Sequence, residues 1–559
     1  MTTPVRGASI PAIISGQEKR VLHLGKSVFA QRGEWERKAF VPHFDFDAMS
    51  ERTRKAPRWI HFGGGNIFRA FIAELQQRLL ETGAADTGII AVAPYDFEII
   101  DKIYAPYDNL SLLVLMRPDG TLEKKVVASV GEALVADSSA LKYWARLKEV
   151  FRAESLQMAS FTITEKGYAL KDLDGAYFPA VRKDLAAGPV RPLHAMSVVA
   201  ALLWERFQAG GLPLALVSMD NCSHNGEKLQ NAVLGIADGW LAEGFVTEDF
   251  AAYLRDPRKV SFPWSMIDKI TPRPAKAVED SLAADGIAGM TPFVTGKHTF
   301  SAPFVNTEVP QYLVIEDAFP AGRPAFHLLS GAGVYLCDRG TVNKTEQMKV
   351  AACLNPLHTA LAVYGCILRI PSIAEAVRLP ALRKLISRIG YGEGLPVAAH
   401  PGIIDPKRFI DEVINERLAN PFIPDTPQRI ATDTSQKVPI RFGGTIQAYM
   451  REKRDTGTLY GISLAIAGWL RYLLAVGDDG KPLELSADPM LETLRGLLRG
   501  IRFGEPASAA GRLKPILSNA ALFGVDLYET KVAGKVETMF AELIAGPHTA
   551  LAVLNKYLA

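Results

Sequence analysis

Trp59-Ile-His-Phe-Gly63-Gly-Gly65-Asn-Ile67-Phe-Arg69-Ala is the stretch that decides the fold. Trp59 to Gly63 reads as a short buried strand ending in glycines. After it, Ile67, Phe68, Phe71, Ile72, Leu75 and Leu79 recur at helical spacing, and Gly88-Ile-Ile-Ala-Val-Ala93 reads as a second buried strand. Strand, glycine turn, helix and strand form the dinucleotide-binding unit, in which amides at the helix start face a pyrophosphate. The glycine fingerprint is incomplete, because Phe68 stands where the third glycine would be. A tight turn with no ligand is the plainer alternative. Asp96 lies just past the second strand, where a carboxylate can accept from ribose hydroxyls, or it simply begins the next turn. No arginine follows it immediately to meet a 2′-phosphate, which favours NAD over NADP.

Working outward, the alternation continues. The patterns predict a helix over Leu141–Arg152, a strand over 160–164, a helix over 196–209 and a strand over 214–219. Two of these strands run into polar clusters, Thr164-Glu165-Lys166-Gly167-Tyr168 and Asp220-Asn221-Cys-Ser-His224, at the ends where parallel sheets hold ligands. Beyond about Cys337 strands nearly vanish and helical patterns cover 346–368, 373–389, 408–419, 459–474 and 491–498. The fold class is therefore α/β: an extension over 1–56, a Rossmann-type parallel-sheet domain over 57–338, and a mostly helical domain over 339–559. The site falls in the cleft between the last two.

Composition sets outer limits. A chain of 559 residues is too long for one core, and 48% apolar residues with a formal net charge of +3 describe a water-soluble protein without a nucleic-acid face. The four cysteines form no CxxC and read as reduced thiols in a cytoplasmic protein. The apolar patch at 10–14 is too brief for a secretory signal, and Arg471 inside the apolar run 459–476 favours a core over a bilayer. Neither a nucleic acid nor a membrane is expected as partner. The ten histidines form no HExxH and no zinc spacing, so no metal is expected.

The chemistry is placed in Glu346-Gln-Met-Lys349-Val-Ala-Ala-Cys-Leu-Asn355-Pro-Leu-His358. Burial in so apolar a segment disfavours a lysine's charged form, which makes it basic near neutral pH and able to take a proton from an alcohol. Asn355 can donate to a developing alkoxide and His358 can orient the substrate oxygen. The bland alternative is a core helix with a snorkelling lysine, a capping asparagine and a satisfied histidine.

Several motifs together resemble the polyol-specific long-chain dehydrogenase/reductase family of mannitol 2-dehydrogenases, fructuronate (D-mannonate) reductases and tagaturonate reductases. They are Gly63-x-Gly65-Asn66-Ile67-Phe-Arg69-Ala, Met219-Asp-Asn221, Phe262-Pro-Trp-Ser-Met-Ile-Asp268-Lys-Ile-Thr-Pro272, Val314-Ile-Glu-Asp317, and Asp425-Thr-Pro-Gln-Arg429 through Ser435-Gln-Lys437. The Cys353-Leu-Asn-Pro-Leu-His358 wording is similar to bacterial fructuronate reductase-like members. The resemblance implies a zinc-independent nicotinamide oxidoreductase with Lys349 as general base and Asn221 and Asn355 as the oxyanion pocket. It further implies that His358 orients the substrate, that Asp268, Arg429 and Lys437 bind its other oxygens, and that Glu165 sits near the lysine's proton path. Gly63, Gly65, Asn66, Ile67, Arg69 and Asp96 would hold NAD. The leading expectation is interconversion of D-fructuronate and D-mannonate. The alternatives are a hexitol dehydrogenase such as a mannitol 2-dehydrogenase and, more remotely, a non-catalytic nucleotide- or sugar-binding protein.

One spacing departs from the family pattern: Asn355 follows Lys349 by six residues, where five is usual. One insertion turns a regular helix by about 100° and rotates the lysine off the Asn355–His358 face. Either a π-bulge restores that face, or Asn355 caps a new helix with Pro356 at its first position.

Overall fold

The structure is a computed structural model describing residues 21–172 and 174–559; the 10–14 patch lies outside the described residues. Its centre is a six-stranded, all-parallel sheet of β1 (Trp59–Phe62), β2 (Ile89–Ala93), β3 (Val130–Val135), β4 (Met158–Phe161), β5 (Leu214–Ser218) and β6 (Val260–Ser261). The order across the sheet is β3-β2-β1-β4-β5-β6. That is the doubly wound Rossmann order, with the topological switch between β1 and β4.

The near-continuous apolar runs follow from burial on both faces. Ile60, Phe62, Ile90, Val92, Leu214 and Leu216 pack into the core beneath helices Leu141–Arg152, Ala195–Gln208 and Asn225–Ala242. Their alternating neighbours Trp59, Ala91, Ala93, Ala215 and Val217 pack into the opposite core with Phe71, Leu75 and Leu79 of the first crossover. Residues two apart share a face, so both registers must be apolar.

A three-stranded sheet of Ser265–Asp268, Tyr312–Glu316 and Val334–Cys337 carries the chain into the helical half. Ile267, Leu313 and Ile315 face the Rossmann core, whereas Met266 and Val314 join the core of the helical half with Leu357, Tyr364 and Trp469. This sheet is the seam, and Asp268 ends its first strand there. Val334–Cys337 is the last named strand, and helices follow to the C-terminus among the described residues.

Three element expectations are corrected. The strand predicted over 160–164 ends at Phe161, because Thr164 takes a left-handed backbone (φ 63°) and opens the short helix Thr164–Tyr168. The run 373–389 divides into Ile373–Arg378 and Pro380–Ser387, since the residue before a proline avoids the helical region; Leu379 is extended. The run 346–368 divides at Leu354 into a π-helical segment, Met348–Cys353, and the α-helix Asn355–Ile367.

Candidate active site

The glycine turn is built as a cradle. Gly63 has φ 120°, and a Cβ there would sit 2.2 Å from the Thr162 carbonyl oxygen, so only glycine fits. A Cβ on Gly65 would meet nothing within 4 Å, so the turn is open on that side. The helix begins at Asn66 and Ile67. At the missing third glycine, Phe68 stacks on His61 of β1 at 4.4 Å between ring centroids, and the segment Phe68–Ile72 is π-helical. A widened turn with an aromatic stack thus replaces close glycine packing. Burial pushes His61 down to about 3, so the ring is neutral.

Asp96 follows β2 and is 6% exposed. Thr295 donates to its Oδ2 at 2.5 Å, while Oδ1 is buried without a partner among the described residues. An acceptor held dry and unsatisfied suits a ribose hydroxyl. The turn and this carboxylate together fit a dinucleotide. Arg69 faces elsewhere: it is 1% exposed and donates to Ala302 O, Asn66 Oδ1 and Ser301 Oγ at 2.9 to 3.1 Å.

Outside the carboxyl ends of β4 and β5, Asp220 ties the two loops together. It accepts from the amides of Ile163 (3.0 Å) and Thr164 (2.9 Å) and from the Tyr168 hydroxyl (2.5 Å). This clamp holds the left-handed Thr164 and fixes Asn221 at the mouth of a cavity of about 500 Å³ between the two halves. Lys349 enters that cavity from the other side, 3% exposed, donating to Asn221 Oδ1 at 2.8 Å and to the Ile267 carbonyl at 3.1 Å. With Oδ1 engaged, the Asn221 amide retains its N–H donors. Burial lowers the lysine's pKa; Asp268, 3.9 Å away, opposes the fall and Arg417 adds to it.

The six-residue spacing is accommodated by the π turn, and a fresh helix follows that Asn355 begins but does not cap. Leu354 N donates to Lys349 O at 3.1 Å, the i→i−5 bond of a π turn, and Pro356 sits in the first turn of a fresh helix. Leu354 takes the cap position, so Asn355 does not cap. Its side chain makes no hydrogen bond among the described residues and lines the cavity with Lys349 and His358. His358 Nε2 lies 3.0 Å from Asp425 Oδ2, a close contact too bent for a well-formed hydrogen bond. Burial lowers the His358 pKa against the pull of Asp425, which favours the neutral ring.

The other expected ligands are distributed unevenly. Asp268 lines the cavity, but Arg417 occupies both its oxygens, at 2.5 and 3.0 Å. Burial drives the Asp268 carboxyl upward, yet Arg417 and Lys349 more than offset this and hold it below the usual carboxylate range. Arg429 lines the cavity and donates to Asp425 Oδ1 at 2.8 Å through Nε. Lys437 is not in the lining; it donates to the carbonyls of Ile430 (3.1 Å) and Thr432. Glu165 is exposed outside the cavity and pairs with Lys228. Sequence reasoning missed Arg417 and Arg441, both in the lining. Arg417 stands inside the apolar spacing of Phe409, Ile410, Val413 and Ile414, and a lone cation in such a run was the available signal. It ends a π-helical segment, Val413–Arg417, and Arg441 lies in another, Pro439–Gly443, so three cations of the cavity ride on π turns. A π turn shifts the helical face by one residue, a distortion that favours functional sites.

Residues 57–326 match the Mannitol dehydrogenase Rossmann domain and 341–544 the Mannitol dehydrogenase C-terminal domain. The chain is similar to D-mannonate oxidoreductase of Thermotoga maritima, 52% identical over 96% of this chain and 99% of that protein. Among solved structures it resembles Pseudomonas fluorescens mannitol 2-dehydrogenase in ternary complex with NAD and D-mannitol. That match has TM-score 0.67 and 25% identity, covering 96% of this chain and 99% of the other. A substrate-free D-sorbitol dehydrogenase shares the fold, with TM-score 0.75 and 24% identity over 92% of this chain and 97% of the other.

Proposed function

The chain belongs to the mannitol dehydrogenase family, and on that premise we propose that it interconverts D-fructuronate and D-mannonate with NAD, using Lys349 as general acid/base. The observation that carries the chemistry is Lys349 itself, a buried lysine with lowered pKa whose partners are an amide oxygen and a carbonyl. The sugar-acid substrate is supported by the identity to a protein named D-mannonate oxidoreductase.

Gly63, Gly65, Asn66 and Ile67 would hold the cofactor's pyrophosphate, and Asp96 Oδ1 would accept from its ribose. When bound, the nicotinamide supplies the ring that exchanges a hydride with the alcohol carbon. Lys349 takes the hydroxyl proton on Nζ during oxidation and returns it to the ketone oxygen during reduction. Asn221 and Asn355 donate to that oxygen as its charge grows, which counts for more in a dry cleft than in water. Asp425 beside Nε2 favours the tautomer protonated there, leaving His358 Nδ1 to accept from a substrate hydroxyl. Asp268, held by Arg417, acts on the lysine's charge rather than on substrate. The step as written needs no metal, and activity retained after exhaustive chelation tests that. The free thiols fit a reducing cytoplasm. Arg339–Ile367 is long and apolar enough to cross a membrane, but its most apolar window is 72% buried within the protein.

The likeness to a mannitol-bound enzyme supports an uncharged hexitol as the second reading. Purified protein offered hexonates and hexitols with NAD or NADP, followed by absorbance of the reduced nicotinamide, decides between them. Turnover of mannitol equal to or better than that of mannonate would overturn the sugar-acid assignment, and binding without any turnover would overturn the enzyme.

A further inference from the structure

We infer that Arg441 receives the carboxylate of the substrate and sets the preference for a hexonate over a hexitol; the inference rests on the sugar-acid reading above. A cavity that accepts one extra carboxylate needs a cation not already committed, so the cations of the lining can be sorted by partner. Lys349 faces Asp268 and Asn221. Arg417 is saturated by Asp268 and Glu308. Arg429 is paired with Asp425, and Lys269 donates to the carbonyls of Glu308 and Val309.

Arg441 differs from all four. Its side chain makes one hydrogen bond among the described residues, from Nη1 to Thr359 Oγ1 at 2.5 Å, and forms no ion pair there. Thr359 is one residue beyond His358 and one turn beyond Asn355, whose carbonyl accepts from the same hydroxyl at 3.0 Å. The guanidinium is thereby anchored beside the two helix residues read as substrate ligands, with its remaining N–H donors uncommitted. Burial alone lowers its pKa to about 10, and no carboxylate counters that fall, so it stays charged at neutral pH. A partly buried cation without a counter-charge is costly unless a ligand supplies one. Arginine suits a carboxylate in particular, because its planar fork can engage both oxygens.

The test compares wild type, Arg441→Met, Arg441→Lys and Arg429→Ala, each on D-mannonate and D-mannitol, with the thermal midpoint read with and without mannonate. Hydrogen bonds to a charged group predict that Arg441→Met loses roughly 10- to 150-fold in kcat/KM for mannonate, mostly through KM. Mannitol turnover and NADH affinity should hold near wild type, which also shows that the variant folds. Arg441→Lys should recover part of the loss, keeping the charge without the fork. Mannonate preference that survives Arg441→Met but disappears in Arg429→Ala overturns the inference and leaves the reaction standing. If mannonate stabilises the wild type through Arg441 but is not turned over, the reaction is overturned and Arg441 is kept only as a carboxylate-binding residue. Wild type indifferent to mannonate in both readouts overturns both.

Discussion

Arg417 grips Asp268 with both terminal nitrogens, at 2.5 and 3.0 Å, and presents its other edge to Glu308 at 2.8 and 3.0 Å. Arg417 is 3% exposed and Glu308 fully buried, so two carboxylates share one cation out of reach of water. Such a cluster is weak evidence of net stabilisation, but breaking it strands charge. Arg417→Met should therefore cost about 3–5 kcal/mol of stability by chemical denaturation. A loss under about 1 kcal/mol would mean that the two acids are held by something else.

The pH sense of that cluster follows from Asp268, whose carboxyl lies below its ordinary value once Arg417 and Lys349 outweigh burial. Its stabilising contribution is complete above the unfolded value of 3.8 and is lost as pH falls through the lower folded value. Mild acid alone should leave this contact intact.

Lys349→Ala should abolish turnover while leaving NADH binding near wild type. A positioned proton acceptor contributes roughly 100- to 10,000-fold, and among the described residues no other amine shares its hydrogen bond to Asn221. Single-turnover measurements with fluorescence titration of NADH separate the two effects. Retention of more than about a tenth of the activity would remove Lys349 as the base.

Asp96→Ala should weaken NAD and reduce discrimination against NADP, since the partnerless Oδ1 is lost with the negative charge that would repel a 2′-phosphate. Kd values for both cofactors provide the check. An unchanged ratio would move the ribose contact to Glu98, which already accepts from Gly296 N at 2.8 Å.

The Rossmann half was legible because its signals are local: short, continuously apolar strands, a glycine-rich turn, and a helix at regular spacing. Lys349, Asn355 and His358 were legible as well, since they stand on one short segment. Much of the rest depends on pairings across long sequence separations. Asp268 meets Arg417 from 149 residues away, so Asp268 alone reads as a free ligand. Lys437 shows the converse: its charge reads as a ligand, but its hydrogen bonds go to carbonyls five and seven residues back. The π turns were half legible. The six-residue interval offered one at Lys349 as one of two readings, but nothing in the residue types marks those under Arg417 and Arg441.

Oxidation needs the neutral amine, so kcat/KM for mannonate should be low in acid and rise through the Lys349 pKa to a plateau, below the ordinary lysine value of 10.5. Ketone reduction needs the ammonium and should fall as pH rises through the same group. Burial is the main cause of the lowered value, and Asp268 at 3.9 Å is the larger of the two charges, with Glu346, that keep it from falling further. Asp268→Asn preserves shape, leaves Arg417 its contacts with Glu308, and removes that opposing charge. The inflection should therefore move to lower pH in both directions of reaction, with oxidation gaining relative activity on the acid side. An inflection that stays in place in Asp268→Asn would mean that the titrating group is not Lys349, and the base would have to be sought at His358.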